Sequence, residues 1–135
     1  MANALYDHGR ENFLGGDIDW DANDIKLVFV DEADDTPDLV NDNDLADRAA
    51  ASRVATSGNF ASKTKTSGVA DAADVTVSTV TGDQFESIDI YKDSGVEATS
   101  LMICNIDTAT GLPCTPNGGD IIVQWDAGAN KIFKL

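Results

Sequence analysis

Basic residues are scarce in this chain: nine Lys and Arg stand against 24 Asp and Glu among 135 residues, a formal net charge of −15. Such a polyanion is repelled by nucleic acid and by anionic membrane surfaces, so neither is expected as a partner. Long apolar runs are missing too, and none approaches the roughly 18–20 residues that a membrane-spanning helix needs. The first ten residues carry neither a basic opening nor an apolar stretch, which predicts no cleaved secretory signal. Two cysteines, Cys104 and Cys114, are too few for a disulfide scaffold, and their spacing fits no zinc motif. Cys104 closes the apolar run Leu101-Met102-Ile103-Cys104 and is expected as a buried thiol. Cys114 follows Pro113 in a turn, and no disulfide is expected between the two, because cysteine use gives no sign of an oxidising compartment.

Catalytic signatures are equally thin. The one histidine, His8, has no Gly-x-Ser-x-Gly nucleophile elbow to serve, and neither phosphate-cradling glycine motif occurs. Residues 17–24 contain Asp-x-Asp-x-Asn, the opening of a calcium loop. Counted from Asp19, however, the sixth position is Asp24 rather than Gly and the twelfth is Val30 rather than Glu, so this is no EF-hand. A looser cation site there is left open, and no metal ligand, cofactor or catalytic residue is assigned. A paired-carboxylate hydrolase is disfavoured, because no acid pair stands among aromatics able to shift its pKa, and two Trp with two Tyr make a poor sugar platform.

What is present points to a β-rich single domain over residues 1–135. A hydrophobic content of 42% suffices for a core. The acids are 20 Asp and only four Glu, and with 11 Gly they predict many turns between short elements. Residues 3–14 read as a helix capped by Asn3 and ended by Gly15-Gly16. Ile25-Lys26-Leu27-Val28-Phe29-Val30 is the clearest strand of the first half. An acidic loop insertion follows at about 31–47, with a short helix expected over 42–51 from Asp42 or Asn43. Thereafter short segments at 53–61, 62–69, 75–80, 85–91, 100–106, 120–125 and 131–135 alternate with turns. In 85–91, Phe85, Ser87 and Asp89 are expected on one face. The pattern predicts a mainly β protein, an antiparallel β-sandwich or barrel, jelly-roll-like, with a short N-terminal helix.

Both chain ends carry a resemblance. Met1-Ala2-Asn3-Ala4-Leu5-Tyr6-Asp7-His8-Gly9-Arg10-Glu11-Asn12-Phe13-Leu14-Gly15-Gly16, then Ile18-Asp19-Trp20 and Ile25-Lys26-Leu27, is similar to small virion structural proteins of tailed bacteriophages. So are Arg53-Val54-Ala55-Thr56-Ser57-Gly58, Tyr91-Lys92-Asp93-Ser94-Gly95, the stretch from Thr108 to Ile121, and the tail Trp125-Asp126-Ala127-Gly128-Ala129-Asn130-Lys131-Ile132-Phe133-Lys134-Leu135. Nearly the whole chain is covered except residues 31–47. The resemblance implies a capsid decoration, or cement, protein without enzymatic activity, made in the host cytoplasm and carried on the outer capsid surface of the virion. Its implied partners are the major capsid protein and further copies of itself, a homo-oligomer with a trimer favoured. The candidate partner-binding residues are Leu5, Tyr6 and Phe13 of the N-terminal element and Lys131, Ile132, Phe133, Lys134 and Leu135 of the tail. The tail is equally a candidate for the last strand of the protein's own sheet. A tail, neck or fibre component is the neighbouring expectation. A host glycan-binding module, using Trp20 and loop 31–47, is the third. Trp125 is expected in the core or at its rim.

Overall fold

The computed structural model describes residues 3–135; Met1 and Ala2, which open the N-terminal motif, lie outside the described residues. The chain is mainly β, with antiparallel sheets and one short helix. The strands are β1 (Ala4–Leu5), β2 (Ile25–Val30), β3 (Arg53–Thr56), β4 (Val69–Ala70), β5 (Val75–Val77), β6 (Ser87–Lys92), β7 (Met102–Ile106), β8 (Ile121–Val123) and β9 (Phe133–Lys134), and the helix is α1 (Asp7–Gly15). Five strands form a sheet in the order β1-β7-β6-β2-β3, and β4-β9 and β5-β8 form two small ladders. The barrel alternative is not realised among the described residues: the large sheet ends at β1 and β3 rather than closing. Ile25, Leu27, Phe29, Ile88 and Ile90 of that sheet share one hydrophobic cluster with Ala70, Val75 and Val77 of the ladders, a sandwich-like packing. At its centre the Phe29 and Phe85 rings stack 4.2 Å apart at 6°.

Strand β2 lacks alternation because both of its faces are buried. Ile25, Leu27 and Phe29 enter the large cluster, while Val28 and Val30 join Tyr6, Leu45, Tyr91 and Met102 on the opposite face. Strand β6 does the same, with Ser87 and Asp89 fully buried. Phe85 does not share their face as expected. It precedes the regular ladder, bridges to Cys114 and sits in the large cluster with Ile88 and Ile90.

The N-terminal element departs from expectation. Ala4 and Leu5 pair with Asn105 and Cys104 of β7, which delays the helix to Asp7. Asn3 caps no helix; its Oδ1 accepts from the backbone N–H groups of Asp107 and Thr108, pinning the strand start. The helix ends as expected, with Gly16 left-handed at φ 84° and its N–H returned to Phe13 O. Gly9 lies flat on β7, where a Cβ would stand 2.7 Å from Ile103 O and 2.9 Å from Met102 O. The expected helix over 42–51 is two 3₁₀ turns instead, Leu45–Asp47 and Ala50–Ser52, the first closed by a reciprocal cap between Asp44 and Asp47. The 75–80 strand stops at Val77, and Thr79 turns to φ 53°.

Asp93, at the end of the β2–β6 ladder, makes an ion pair to Lys26 at 2.6 Å. That lysine, with the Gly95 N–H, holds the Asp93 carboxyl below its ordinary value of 3.8. A depressed carboxylate contributes stability above its unfolded pKa and loses it as the pH falls through the folded value. Lys26→Met is therefore expected to lose less stability than the wild type between neutral pH and about pH 3, read from urea midpoints. An equal acid-limb loss in both proteins contradicts the pairing.

Both cysteines are free, Cys104 buried and Cys114 half-buried. Burial, with Asp89 nearby, pushes the Cys104 thiol far above its ordinary range. A thiol reagent is expected to label Cys114 alone in the folded protein and both residues after denaturation. Counting adducts by mass spectrometry checks this, and native labelling of Cys104 refutes the packing.

Candidate functional site

Chain ends distant in sequence meet on one face because β9 pairs antiparallel with β4, placing Lys134 opposite Val69 and Phe133 opposite Ala70. The Phe133 ring then lies 5.8 Å from Phe13 of α1 and 5.3 Å, edge-on, from Trp20. Helical spacing puts Arg10, Phe13 and Leu14 on the same side of α1. With Leu5, Lys134 and Leu135 they line a groove of about 420 Å³. A second depression of about 360 Å³ shares Phe13 and Leu135 and is floored by Ile18, Trp20, Ala70 and Phe133. Leu14 is 91% exposed and Leu135 59%, so the rim of the groove is apolar and open to water.

Of the sequence-predicted contacts, the structure gathers Leu5, Phe13, Phe133, Lys134 and Leu135 here. Ile132 lies one residue back, half-buried against the core, and lines an adjoining depression with Leu5 and Phe133. The tail is thus a strand of the protein's own sheet system and also contributes the exposed Leu135. Lys131 turns away at φ 45° and pairs with Asp71 at 3.3 Å. Tyr6 does not reach the face. It is wholly buried on the other side of the sheet, because alternation along the chain turns it opposite to Leu5. Leu14 and Arg10 were not singled out from sequence. The signal available was Leu14's place immediately before Gly15-Gly16, four residues after Arg10.

Charge sets the groove apart. Eight of the nine bases are engaged: Arg10, Lys26, Arg48, Arg53, Lys65 and Lys131 in ion pairs, and Lys63 and Lys92 with backbone carbonyls. Lys134 is the one cation among the described residues with neither. Its groove contains Arg10 as well, which is paired with Asp7 at 2.8 Å.

The opposite face is closed by the acidic segment 31–47, which is strapped down rather than open. Arg48, without solvent exposure, is the buckle. Its Nε donates to Asp89 Oδ2 at 2.9 Å, and Nη2 donates to Asp42 Oδ2 at 2.7 Å and to Tyr6 Oη at 3.1 Å. Nη1 stands 3.1 Å from Asp35 Oδ2 but makes no well-aligned hydrogen bond. Tyr6 Oη donates to Asp89 Oδ1 at 2.6 Å, and Asn105 Nδ2 donates to the same oxygen at 2.8 Å. Burial, reinforced by Asp89, pushes the Tyr6 hydroxyl far above its ordinary range, and burial also raises Asp42. Backbone bonds complete the strap: Asp7 N–H to Leu39 O, Met102 N–H to Asn43 O and Leu45 N–H to Ser100 O.

Trp20, one of the two contacts expected for glycan binding, is buried with its Nε1 donating to Asp71 O at 3.2 Å, so it offers no open ring. Trp125 sits half-buried at the core rim, 5.5 Å from Phe60. In the 17–24 turn, Asp19 accepts from the N–H groups of Asp21 and Ala22, and Lys65 pairs with Asp21 at 3.1 Å, so two of the four acids there are engaged. Carboxylates do converge at Asp31, Asp34 and Asp83, within 4.8 Å of one another. Such clustering is ordinary on a chain this acidic and assigns no metal. No family model matches the chain, and no curated protein matches it.

Proposed function

We propose that the chain is a virion structural protein of a tailed bacteriophage, a capsid decoration protein that binds the outer surface of the major capsid lattice and stabilises the head without chemistry of its own. One observation carries this: the two chain ends, where the resemblance is strongest, come together as a single exposed apolar face around Leu14 and Leu135. Leu14 and Leu135 line one groove and so form a patch rather than scattered side chains, and an apolar patch with a polar rim is the ordinary form of a protein-binding surface. The surplus of acid fits the same role, keeping a densely coated particle soluble and clear of released DNA. A symmetric lattice position favours a symmetric ligand, which is the argument for a homotrimer.

The test is add-back to heads that lack the protein, with the temperature of DNA release as readout. Wild-type protein restores the higher release temperature and Leu14→Asp does not. Heads indifferent to the wild-type protein overturn the proposal.

A further inference from the structure

Two strand edges are left open on the terminal face. β1 ends the large sheet and pairs only with β7, and β9 pairs only with β4. Tyr6 N–H donates to Ile103 O, and Leu135 N–H donates to Gly68 O. Backbone groups alternate between the two edges of an antiparallel strand, so the N–H and C=O of Leu5 and of Lys134, one residue back in each case, turn to the outer edges. Among the described residues these groups have no partner. An open edge is a template for a further strand. Both edges line one trough. The groove of about 420 Å³ and the adjoining depression of about 410 Å³ share Leu5, Arg10 and Lys134. Of the two, the depression alone holds Asn3 and Asn130, and the groove alone holds Leu14 and Leu135. β1 and the tail therefore run along the trough in the same direction, and a strand laid between them in the opposite sense is antiparallel to both.

We infer that the trough takes an extended segment of a partner protein, added as a strand between β1 and β9, with apolar residues at alternate positions and a carboxylate toward its N-terminal end against Lys134. This rests on the terminal face being the binding face and gives the form of what it binds. In strand addition, main-chain hydrogen bonds supply affinity and pockets for alternate side chains supply selectivity. The main-chain groups here are those of Leu5 and Lys134. The pockets are floored by Ile106, Ile132 and Phe133 at one end and walled by Phe13 and Leu14 at the other. Charge selects the acid: Arg10 already has Asp7, whereas Lys134 lacks an ion pair on a chain of net charge −15. Antiparallel pairing on both sides is the better-bonded arrangement and the one every ladder of this fold uses.

The probe is a blocked synthetic peptide, glutamate followed by alternating valine and threonine, titrated into the isotope-labelled full chain and followed by NMR. The Leu5 and Lys134 amide signals are expected to shift, and their hydrogen exchange to slow by about tenfold. The same peptide N-methylated throughout cannot bond an edge and leaves them unchanged. Lysine in place of the glutamate weakens binding. Lys134→Pro removes only an outward N–H, because Leu135 N–H carries the ladder to β4, and loses the peptide by about tenfold more than Lys134→Met, which keeps that donor. The peptide series uses the wild type alone, so a variant that fails to fold leaves the inference decided. Amides untouched by the peptide, or equal binding of the N-methylated form, overturn the strand site. So does a chain that self-associates with both amides already protected, which gives the edges to a second copy. A chain that takes the peptide but ignores heads refutes decoration and leaves the strand site standing. One that coats heads while both amides exchange freely does the reverse.

Discussion

Replacing Arg48 by methionine is expected to destabilise the fold by about 3–5 kcal/mol, a fall in melting temperature on the order of 10–20 °C. The side chain has no exposure and stands among three carboxylates, Asp35, Asp42 and Asp89. Its own charge is opposed by burial and upheld by Asp89 first among its neighbours. Removing it leaves Asp89 buried, with Tyr6 Oη and Asn105 Nδ2 as remaining donors and no counter-charge. It also frees the strap, since Asp42 and Asp35 lose the cation that draws them to the sheet. The size of the loss comes from stranding a buried charge, not from the strength of the pair itself. Arg48→Met combined with Asp89→Leu is therefore expected to recover part of the loss, and urea denaturation of the single and double variants measures it. A cost below about 1 kcal/mol for Arg48→Met contradicts the clamp.

Gly9→Ala is the second large effect, and its sign is the point. At an exposed helix interior this substitution stabilises by about 1 kcal/mol. Here the added methyl would meet two backbone carbonyls, Ile103 O at 2.7 Å and Met102 O at 2.9 Å, and neither is the end of a flexible side chain. The helix must lift from β7, at an expected cost of about 1–3 kcal/mol. Because Phe13 lies on the same helix, lifting it also disturbs the contact with Phe133 and the groove beside it. Urea midpoints for the variant should fall, and a stabilised variant would show that α1 does not dock as described.

How much of this the sequence carried depends on the distance over which each element is decided. Strand β2 was legible because six strand-forming residues between acidic turns leave no other solution. The helix end was legible in Gly15-Gly16, but its start was not. Asn3 has the chemistry of a cap, and what overrides it is pairing of Ala4 and Leu5 with β7, some hundred residues away. The alternation of 85–91 puts Ser87 and Asp89 on one face but does not say that the face is buried. Their partner is Arg48, forty-one residues before Asp89, and nothing local to either position announces the other. For the same reason the acidic segment read as a loop insertion, although its cation, Arg48, is the next residue after it. At the site, the terminal residues stand out in the sequence as candidates by their apolar and basic character. Their convergence needed the short β4-β9 ladder, which no periodicity marks. Tyr6 was misplaced because a two-residue strand gives too little alternation to set its face.

Quantitative mass spectrometry of purified virions tests the central claim most directly, by counting copies of this chain against the major capsid protein. Decoration predicts a ratio near one or a simple lattice fraction of it. A handful of copies per particle would place the chain at the neck or tail instead, and its absence from the particle would contradict a virion role altogether.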